Sequence, residues 1–369
     1  MSLSAETRWS ADRANAWWAD RGWVCGFNFL PSTAVNFLEM WRGETFDPET
    51  IARELGWAAT IGFNAVRTNP HYLVWLNDRD GLIERMRWFL DTAAGLGLDT
   101  VFVPFDDCGF GGAEPVYGPQ PDPIPGVHNS RAVASPGRAA VRDRAQWPGF
   151  ERYVTDLVAT FGQDPRVLMW DLYNEPGNRM IFTPDGYEED DPALTPHSRD
   201  LMLACFDWAR AAAPMQPLTV GGWVVPPDDA AADAYDNEID RLAFAKSDII
   251  TFHAYCDRAT ASEIIDRLAR HGRPMMSTEW MARGVGSRFA DQLELYRSRN
   301  VGCFNWGLVQ GRTQTYLPWP QVTETYAVDS IKQAPWFHDV FLPDGTPYDL
   351  AETRLIAELT VPVALDQNG

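Results

Sequence analysis

The alternation of short apolar segments with amphipathic helices is the feature that most constrains the fold of this chain. Most of the apolar segments are nearly continuous, such as VLMW at 167–170 and DIITF at 248–252, which is typical of strands buried on both faces of a parallel sheet. Eight strand–helix units in succession predict an α/β fold, a single closed (β/α)8 (TIM) barrel rather than an open doubly wound sheet. The predicted strands are 23–31, 63–70, 99–107, 167–176, 217–223, 248–255, 274–280 and 301–309.

Helices are predicted between these strands because apolar residues recur there at three- and four-residue spacing. Asp47 followed by Pro48 is a typical start for the first of them, as an N-cap with proline in the first turn. The other predicted helices are 82–96, 150–161, 197–213, 262–271 and 287–299.

Chain length fits one domain. A chain of 369 residues accommodates one barrel with long loops, so a single domain over 1–369 is expected, with strands from about 23 to 309. Residues 310–369 are expected to form a final loop and a closing helix. Long loops follow strands 3, 4, 5 and 8, on the face where such barrels build their sites, and they span 108–147, 177–196, 224–238 and 312–344.

The net charge and the composition indicate which ligands the protein can bind and in which cellular compartment it is expected. A net charge of −20 disfavours nucleic acid, anionic membranes and polyanionic substrates, so a neutral carbohydrate is the expected partner. No apolar run approaches the length of a membrane-spanning helix, and the N-terminal segment lacks the apolar core of a signal peptide. The five cysteines show no zinc-site spacing and are expected to be free, mostly buried thiols. Together these features predict a cytoplasmic protein, and they leave its oligomeric state open.

Two short strings carry the candidate chemistry. WDLYNEP at 170–176 and MSTEW at 276–280 each lie at the end of a predicted strand, and each has one carboxylate near its carboxyl end, Glu175 and Glu279. Cleavage of a glycosidic bond uses two carboxyl groups, one as an acid and one as a nucleophile or base. The alternative is that both glutamates are surface or ion-paired structural residues.

With these motifs the chain resembles clan A of the retaining glycoside hydrolases, and most closely the cellulase-like proteins of family 5, in a bacterial cellulase- or xylanase-like subgroup. The resemblance implies that Glu175 is the acid/base and that Glu279 is the nucleophile. The other matching positions are Arg67 at the end of strand 2, Asn174 beside Glu175, His253 and Tyr255 in FHAY on strand 6, and Trp306 in FNWG on strand 8.

One position departs from the family pattern. Typical members carry a histidine at the end of strand 3, where this chain has Asp106 and Asp107. A carboxylate there can bind sugar hydroxyls bidentately, so both residues are candidate substrate contacts.

The matching residues can act on the substrate or on the catalytic glutamates, and for some of them a purely structural role is the alternative. Asn174 can bond the sugar 2-hydroxyl, and Tyr255 can donate to the nucleophile. Arg67 can keep Glu279 ionised, although a buried arginine is often a structural ion-pair partner. His253 can position the substrate or Glu175, and Trp306 can offer a flat apolar surface to the sugar, whereas both types are often simply core residues. Weaker candidates on the rim are His71, Asn28, Glu39, Trp41, His128 and Asn129.

The sequence therefore predicts a retaining glycoside hydrolase that cleaves a small β-linked oligosaccharide or glycoside by double displacement. No cofactor is expected, because neither GxGxxG between a strand and a helix nor GxxxxGK[ST] occurs. No metal is expected either, because the six histidines are scattered. Two alternatives stay open: a non-catalytic carbohydrate-binding barrel derived from such an enzyme, and a metal-dependent hydrolase.

Overall fold

A ring of eight parallel strands forms the centre of the molecule. The computed structural model describes residues 8–225, 231–322 and 335–361. The strands are β1 (Cys25–Asn28), β2 (Ala65–Thr68), β3 (Asp99–Phe102), β4 (Val167–Asp171), β5 (Leu218–Thr219), β6 (Ile250–His253), β7 (Met275–Trp280) and β8 (Gly302–Asn305). They pair in the order β6-β7-β8-β1-β2-β3-β4-β5, and a parallel bridge between Gly222 and Phe252 connects the two ends. The predicted (β/α)8 barrel is confirmed.

Two of the predicted strands are interrupted near their carboxyl ends. Strands β3 and β4 each stop and resume as a two-residue strand, Phe105–Asp106 and Tyr173–Asn174. These two short strands pair in parallel, with Asp106 opposite Asn174. The break brings polar side chains from neighbouring strands side by side at the mouth of the barrel.

Twelve α-helices lie within the described residues, and those between the strands cover the barrel. The predicted helices are confirmed, including the first, where the Asp47 side chain accepts a bond from the Thr50 amide. The short helices in the loops and the N-terminal helix were not predicted. The bounds are α1 (Ala11–Ala19), α2 (Phe37–Trp41), α3 (Pro48–Thr60), α4 (Tyr72–Asn77), α5 (Arg79–Gly95), α6 (Arg138–Arg142), α7 (Trp147–Phe161), α8 (Leu194–Ala211), α9 (Glu238–Lys246), α10 (Arg258–Leu268), α11 (Phe289–Ser298) and α12 (Leu350–Thr360).

The interior of the barrel is filled from its amino-terminal end. Side chains such as Val101, Met169 and Phe304 pack together there, and Trp18 of α1 lies against the same cluster. The amide of Trp9 donates to Asp248, just before β6, which ties the N-terminal segment to that end. The opposite end of the barrel is therefore left for the loops and the cleft.

The loops after the strands carry structure of their own. The loop after β4 forms an antiparallel hairpin, Met180–Thr183 with Gly186–Glu189, and α8 begins a few residues before its predicted start. Parts of the predicted loops 224–238 and 312–344 lie outside the described residues.

The cysteines and the described helices agree with two further expectations. All five cysteines are free, and four of them are buried, as the sequence predicted. No helix in the described part of the chain is long and apolar enough to cross a bilayer.

Candidate active site

A cleft of about 960 Å³ opens at the carboxyl ends of the strands. Its walls come mainly from the loops after β3, β4 and β8, with further residues after β1, β5, β6 and β7. Glu175 and Glu279 both lie on its floor among the lining residues. The polar groups described below converge on these two glutamates.

Local backbone irregularities position both glutamates. Glu175 follows the short strand Tyr173–Asn174 and has a φ of 43°, in the left-handed region that few non-glycine residues occupy. Glu279 lies on β7, where the pairing with β8 shifts register between Ser277 and Trp280. A strained backbone and a bulge at strand ends are typical devices for aiming a functional side chain.

The two carboxyl groups face each other across a short gap. One carboxylate oxygen of Glu175, one of Glu279 and a ring nitrogen of His253 all lie within 4.8 Å of one another. The Nδ1 atom of His253 is 2.8 Å from Glu175 Oε1 and 3.6 Å from Glu279 Oε2. The imidazole therefore links the two acids.

Glu279 is held by two donors on opposite oxygens. Arg67 Nη1 lies 3.0 Å from Oε1, and the Tyr255 hydroxyl donates to Oε2 over 2.8 Å. These two bonds fix the plane of the carboxylate and stabilise its charged form.

Glu175 has a different set of partners. The amide of Asn178 donates to Oε2 over 2.6 Å, and the thiol of Cys108 donates to the same oxygen over 3.1 Å. Neither Asn178 nor Cys108 was among the predicted site residues. Asn178 lies three residues after Glu175, and only the tight turn between them brings its amide back to the carboxylate.

Arg67 uses its whole guanidinium to organise the floor of the cleft. It donates to Asp171 through Nε and Nη2, to Asn28 and Glu279 through Nη1, and to Asn174 through Nη2. All five N–H groups are thus satisfied, and the side chain is fully buried.

Asn174 is clamped between a donor and an acceptor. Its Oδ1 accepts from Arg67 over 2.6 Å, and its Nδ2 donates to Asp106 over 3.0 Å. Asp106 in turn accepts from the amide of Asn69 over 2.9 Å. The orientation of the Asn174 amide is consequently fixed.

Burial dominates the acid–base properties of the site. It raises the pKa of both Glu175 and Glu279, and it lowers the pKa of His253. For Glu279, the charges of His253 and Arg67 and the bond from Tyr255 oppose that rise, whereas the nearby Glu175 adds to it. Burial also raises the pKa of the Cys108 thiol well above its usual value, so it stays protonated and can donate.

The structure brings most of the predicted residues together. The cleft lining includes Glu175, Glu279, Asn174, His253, Tyr255, Trp306, Asp106, His128 and Asn129. Arg67 lies directly beneath them. Further lining residues that were not predicted are Cys108, His338, Trp223 and Trp319. Trp319 lies in the predicted long loop 312–344, and a tryptophan in a long loop after a strand is the signal that could have identified it.

Two predicted residues of strands 2 and 3 point away from the cleft into the protein. Asp107 accepts bonds from Tyr173, the Gly177 amide and Ser198, and so anchors the loop after β4. His71 caps α4 through the Leu73 amide.

The other three predicted residues that do not line the cleft lie around β1. Trp41 packs in the core against Phe46 and Phe89. Glu39 is paired with Arg312, and the amide of Asn28 donates to the Thr278 carbonyl. None of these three side chains lines the cleft, because protein groups hold each of them.

One cluster in the described part of the chain could hold a metal ion, namely Glu175, His253 and Glu279. The same three side chains are already linked to one another, to Arg67 and to Tyr255 by hydrogen bonds or ion pairs. A cation here would compete with the buried positive charge of Arg67, so the donor set fits a bonded acid pair better than a metal centre.

Several solved structures share the fold of this chain. A GH5_18 protein from Streptomyces cattleya in complex with Manb1-4GlcNAc has 17% identity and a TM-score of 0.60, over 92% of this chain and 80% of that one. The endo-beta-1,4-mannanase from Thermotoga petrophila has 14% identity and a TM-score of 0.55, over 92% and 76%. The exo-beta-1,4-mannosidase Op5Man5 from Opitutaceae bacterium strain TAV5 has 14% identity and a TM-score of 0.58, over 98% and 62%. At these identities the likeness concerns the fold.

Comparison of the sequence with known protein families identifies the family of this chain. No curated protein matches the chain. The family model described as Cellulase (glycosyl hydrolase family 5) matches residues 125–311, just over half of the chain, including both glutamates. The chain therefore belongs to the cellulase family, glycosyl hydrolase family 5, and it is a glycosidase.

Proposed function

We propose that this glycosidase cleaves β-linked glycosides with retention of the anomeric configuration, with Glu279 as nucleophile and Glu175 as acid/base. The observation that carries the proposal is the spacing of the two carboxylates, whose nearest oxygens lie within 4.8 Å of each other. Retaining glycosidases hold their carboxyl groups about 5–5.5 Å apart, whereas inverting ones leave about 6.5–9.5 Å for a water molecule.

In the first step a carboxylate oxygen of Glu279 attacks the anomeric carbon. The bond from that carbon to the leaving oxygen breaks, and this oxygen takes the proton of Glu175. Burial raises the pKa of both glutamates. At Glu279 the bonds from Arg67 and Tyr255 oppose that rise and orient the carboxylate, whereas Glu175 is the group that carries the proton in this mechanism. The products are a glycosyl ester of Glu279 and a free alcohol.

In the second step Glu175, now a carboxylate, takes a proton from a water molecule. The resulting nucleophile attacks the anomeric carbon, and the ester bond to Glu279 breaks. Glu175 regains its proton and Glu279 its charge, so the enzyme is restored. Asn174, fixed between Arg67 and Asp106, is the group we expect to bond the sugar 2-hydroxyl.

A short neutral substrate fits the cleft best. Long loops wall it, and its volume of about 960 Å³ accommodates a disaccharide-sized ligand. The structural neighbours include proteins solved with Manb1-4GlcNAc and an exo-beta-1,4-mannosidase. We therefore propose small β-mannosides as the first substrates to test. The net charge of −20 and the five free thiols favour a neutral substrate and a cytoplasmic location.

The test is a panel of aryl β-glycosides and short β-1,4-linked oligosaccharides, with the product anomer followed by proton NMR. The proposal expects release of terminal sugar with the β anomer formed first. The variants Glu279→Gln and Glu175→Gln should lower kcat on unactivated substrates by at least about a thousand-fold. Initial formation of the α anomer, or rapid internal cleavage of long glucan without terminal release, would contradict it.

The two alternative functions have distinct signatures in the same samples. A non-catalytic binding barrel would bind sugars and turn over none of the panel. A metal-dependent hydrolase would lose activity on chelation and regain it with added metal, whereas the proposed mechanism is insensitive to chelators.

A further inference from the structure

Two histidines from distant loops meet on one wall of the cleft. His128 lies in the loop after β3 and His338 in the loop after β8, and their ring centroids are 5.4 Å apart. Both line the cleft, yet the residues are only 2% and 1% exposed. The pair is not part of the mechanism proposed above.

Backbone carbonyls determine which nitrogen carries the proton in each ring. His128 Nδ1 is 2.7 Å from the carbonyl of Leu317, and His338 Nδ1 is 2.6 Å from the carbonyl of Met281. A carbonyl only accepts, so each Nδ1 must donate, and each neutral ring then offers Nε2 as an acceptor.

Burial keeps both rings neutral. It lowers the pKa of His128 to about 4 and moves the pKa of His338 well below its usual value. Neither Nε2 atom has a hydrogen-bond partner within 8–225, 231–322 or 335–361. Each Nε2 atom is therefore available to accept a hydrogen bond from a donor in the cleft.

The pair is held rigidly. Arg283 donates to the carbonyl of His338 over 2.7 Å and is itself ion-paired with Glu352. On the other side, the amide of Asn129 donates to the carbonyl of Thr313 over 2.7 Å, which joins the loop after β3 to the loop after β8. Both imidazoles are therefore presented in a fixed geometry, as a preorganised binding site requires.

The histidine pair lies close to the groups that hold Glu279. The ring of His338 is 5.7 Å from the ring of Tyr255, whose hydroxyl bonds Glu279. His338 thus lies on the Glu279 side of the cleft, and His128 lies beside it, toward Phe182 of the loop after β4. A sugar attacked by Glu279 would lie within reach of this wall.

We propose that His128 and His338 form a two-acceptor subsite that receives two hydroxyl protons of the sugar residue bound beside Glu279. The proposal deepens the function proposed above and rests on it. The class of ligand is a neutral sugar, because two lone pairs attract hydroxyl donors and repel a carboxylate or a phosphate.

Asparagine substitutions distinguish the roles of the two nitrogens of each ring. In His128→Asn and His338→Asn the amide nitrogen can replace Nδ1 as donor to the carbonyl, while the acceptor at Nε2 is lost. His271, an exposed histidine outside the cleft, gives the matched control His271→Asn. Binding of mannobiose and Manβ1-4GlcNAc is measured by calorimetry in the Glu175→Gln background, so that no turnover intervenes.

Each cleft variant should weaken binding about ten-fold, whereas His271→Asn should not change it. A series of analogues lacking one hydroxyl each on the non-reducing sugar identifies the bonded groups. Two of these analogues should bind the protein with both histidines about as weakly as the variants bind the parent sugar. Each of the two should lose no further affinity in the one variant that lacks its histidine partner.

Unchanged affinity in both cleft variants would overturn the subsite. So would equal loss for every analogue in the variants, because that indicates a structural role. If the variants do not fold, equal binding of all the deoxy analogues by the protein with both histidines overturns it as well. Histidine-dependent binding without any hydrolysis by the wild-type chain would instead remove the proposed function and leave the subsite standing.

Discussion

Arg67 is buried beneath the cleft and donates to four side chains at once. Its charge balances Asp171 and Glu279, and both ion pairs lie almost entirely out of water. Removing one partner of a buried ion pair costs about 3–5 kcal/mol, because the remaining charge is left unpaired.

We therefore expect Arg67→Met to lower the free energy of unfolding by about 3–5 kcal/mol and to abolish measurable activity. Arg79, which pairs with Asp156 at the surface, is the matched control, and Arg79→Met should cost less than about 1 kcal/mol. Urea unfolding of the three proteins at neutral pH measures both values, and similar losses for the two variants would refute the expectation.

Cys108 makes a second prediction at this scale. Its thiol donates to Glu175, a bond that favours the charged carboxylate and lowers the pKa of that glutamate relative to a site without it. In Cys108→Ala the pKa of Glu175 should rise, so the basic limb of the kcat/KM profile should move to higher pH.

Serine is the control for this variant, since its hydroxyl can restore the donor. Cys108→Ser should return the basic limb toward its original pH, while a purely structural cysteine would give two similar profiles. Superimposable profiles for wild type and Cys108→Ala would show that the thiol does not act on Glu175.

At the scale of elements, adjacent side chains of a strand face opposite sides, and this decided which candidates reach the cleft. Asp106 and Asp107 were both predicted as substrate contacts, but only Asp106 turns inward. Asp107 turns outward and bonds the loop after β4. The exact register of the short strand decides which of the two aspartates faces the cleft, and the apolar pattern of the sequence does not give that register.

Close packing inside the barrel gives a prediction for β1. A Cβ added at Gly26 would lie 2.5 Å from the ring of Phe304 and 2.6 Å from the carbonyl oxygen of Ala65. Gly26→Ala should therefore destabilise the protein by about 1–3 kcal/mol or more.

The control is Gly56→Ala in α3, where no atom lies within 4 Å of the added carbon. Alanine is the better helix former by about 1 kcal/mol, so this variant should be neutral or slightly stabilised. Thermal unfolding distinguishes the two, and equal melting temperatures would contradict the packing argument.

Glu54 of α3 predicts a pH dependence of stability. It is fully buried, accepts bonds from Ser32, and burial raises its pKa to about 7. Since the pKa in the folded state exceeds the unfolded value, the stabilising contribution is fully present below about pH 4.5 and is lost as the pH rises through 7.

Glu54→Gln removes this titration while keeping an acceptor for Ser32. The free energy of unfolding of the variant relative to wild type should therefore increase by roughly 2–3 kcal/mol from pH 5 to pH 8. Denaturant titrations at both pH values measure the difference, and a constant difference across that range would refute the assignment to Glu54.

At the scale of the whole molecule, the barrel and the two glutamates could be predicted because they follow from regular patterns. Eight apolar segments require a closed parallel ring, and a ring places Glu175 and Glu279 at one end. The loops that wall the cleft could be predicted, but individual wall residues such as His338 and Trp319 could not, because their positions depend on tertiary contacts of those long loops.

Those loops also bear on the extent of the domain. Beyond β8, a bridge from Val309 to Phe341 and the ion pair of Arg283 with Glu352 attach the C-terminal segment to the barrel. We propose that residues 1–369 form one domain, in which the last loop contributes part of the cleft wall.

The central claim is that Glu279 forms a covalent bond to the sugar. Incubation with a 2-deoxy-2-fluoro-β-mannoside that carries a good leaving group, followed by intact-mass and peptide analysis, tests it most directly. The account predicts a protein that gains the mass of one fluorosugar on the peptide containing Glu279, and no such adduct in Glu279→Gln. An adduct on another residue, or rapid turnover of the parent β-mannoside to the α anomer with no adduct formed, would contradict it.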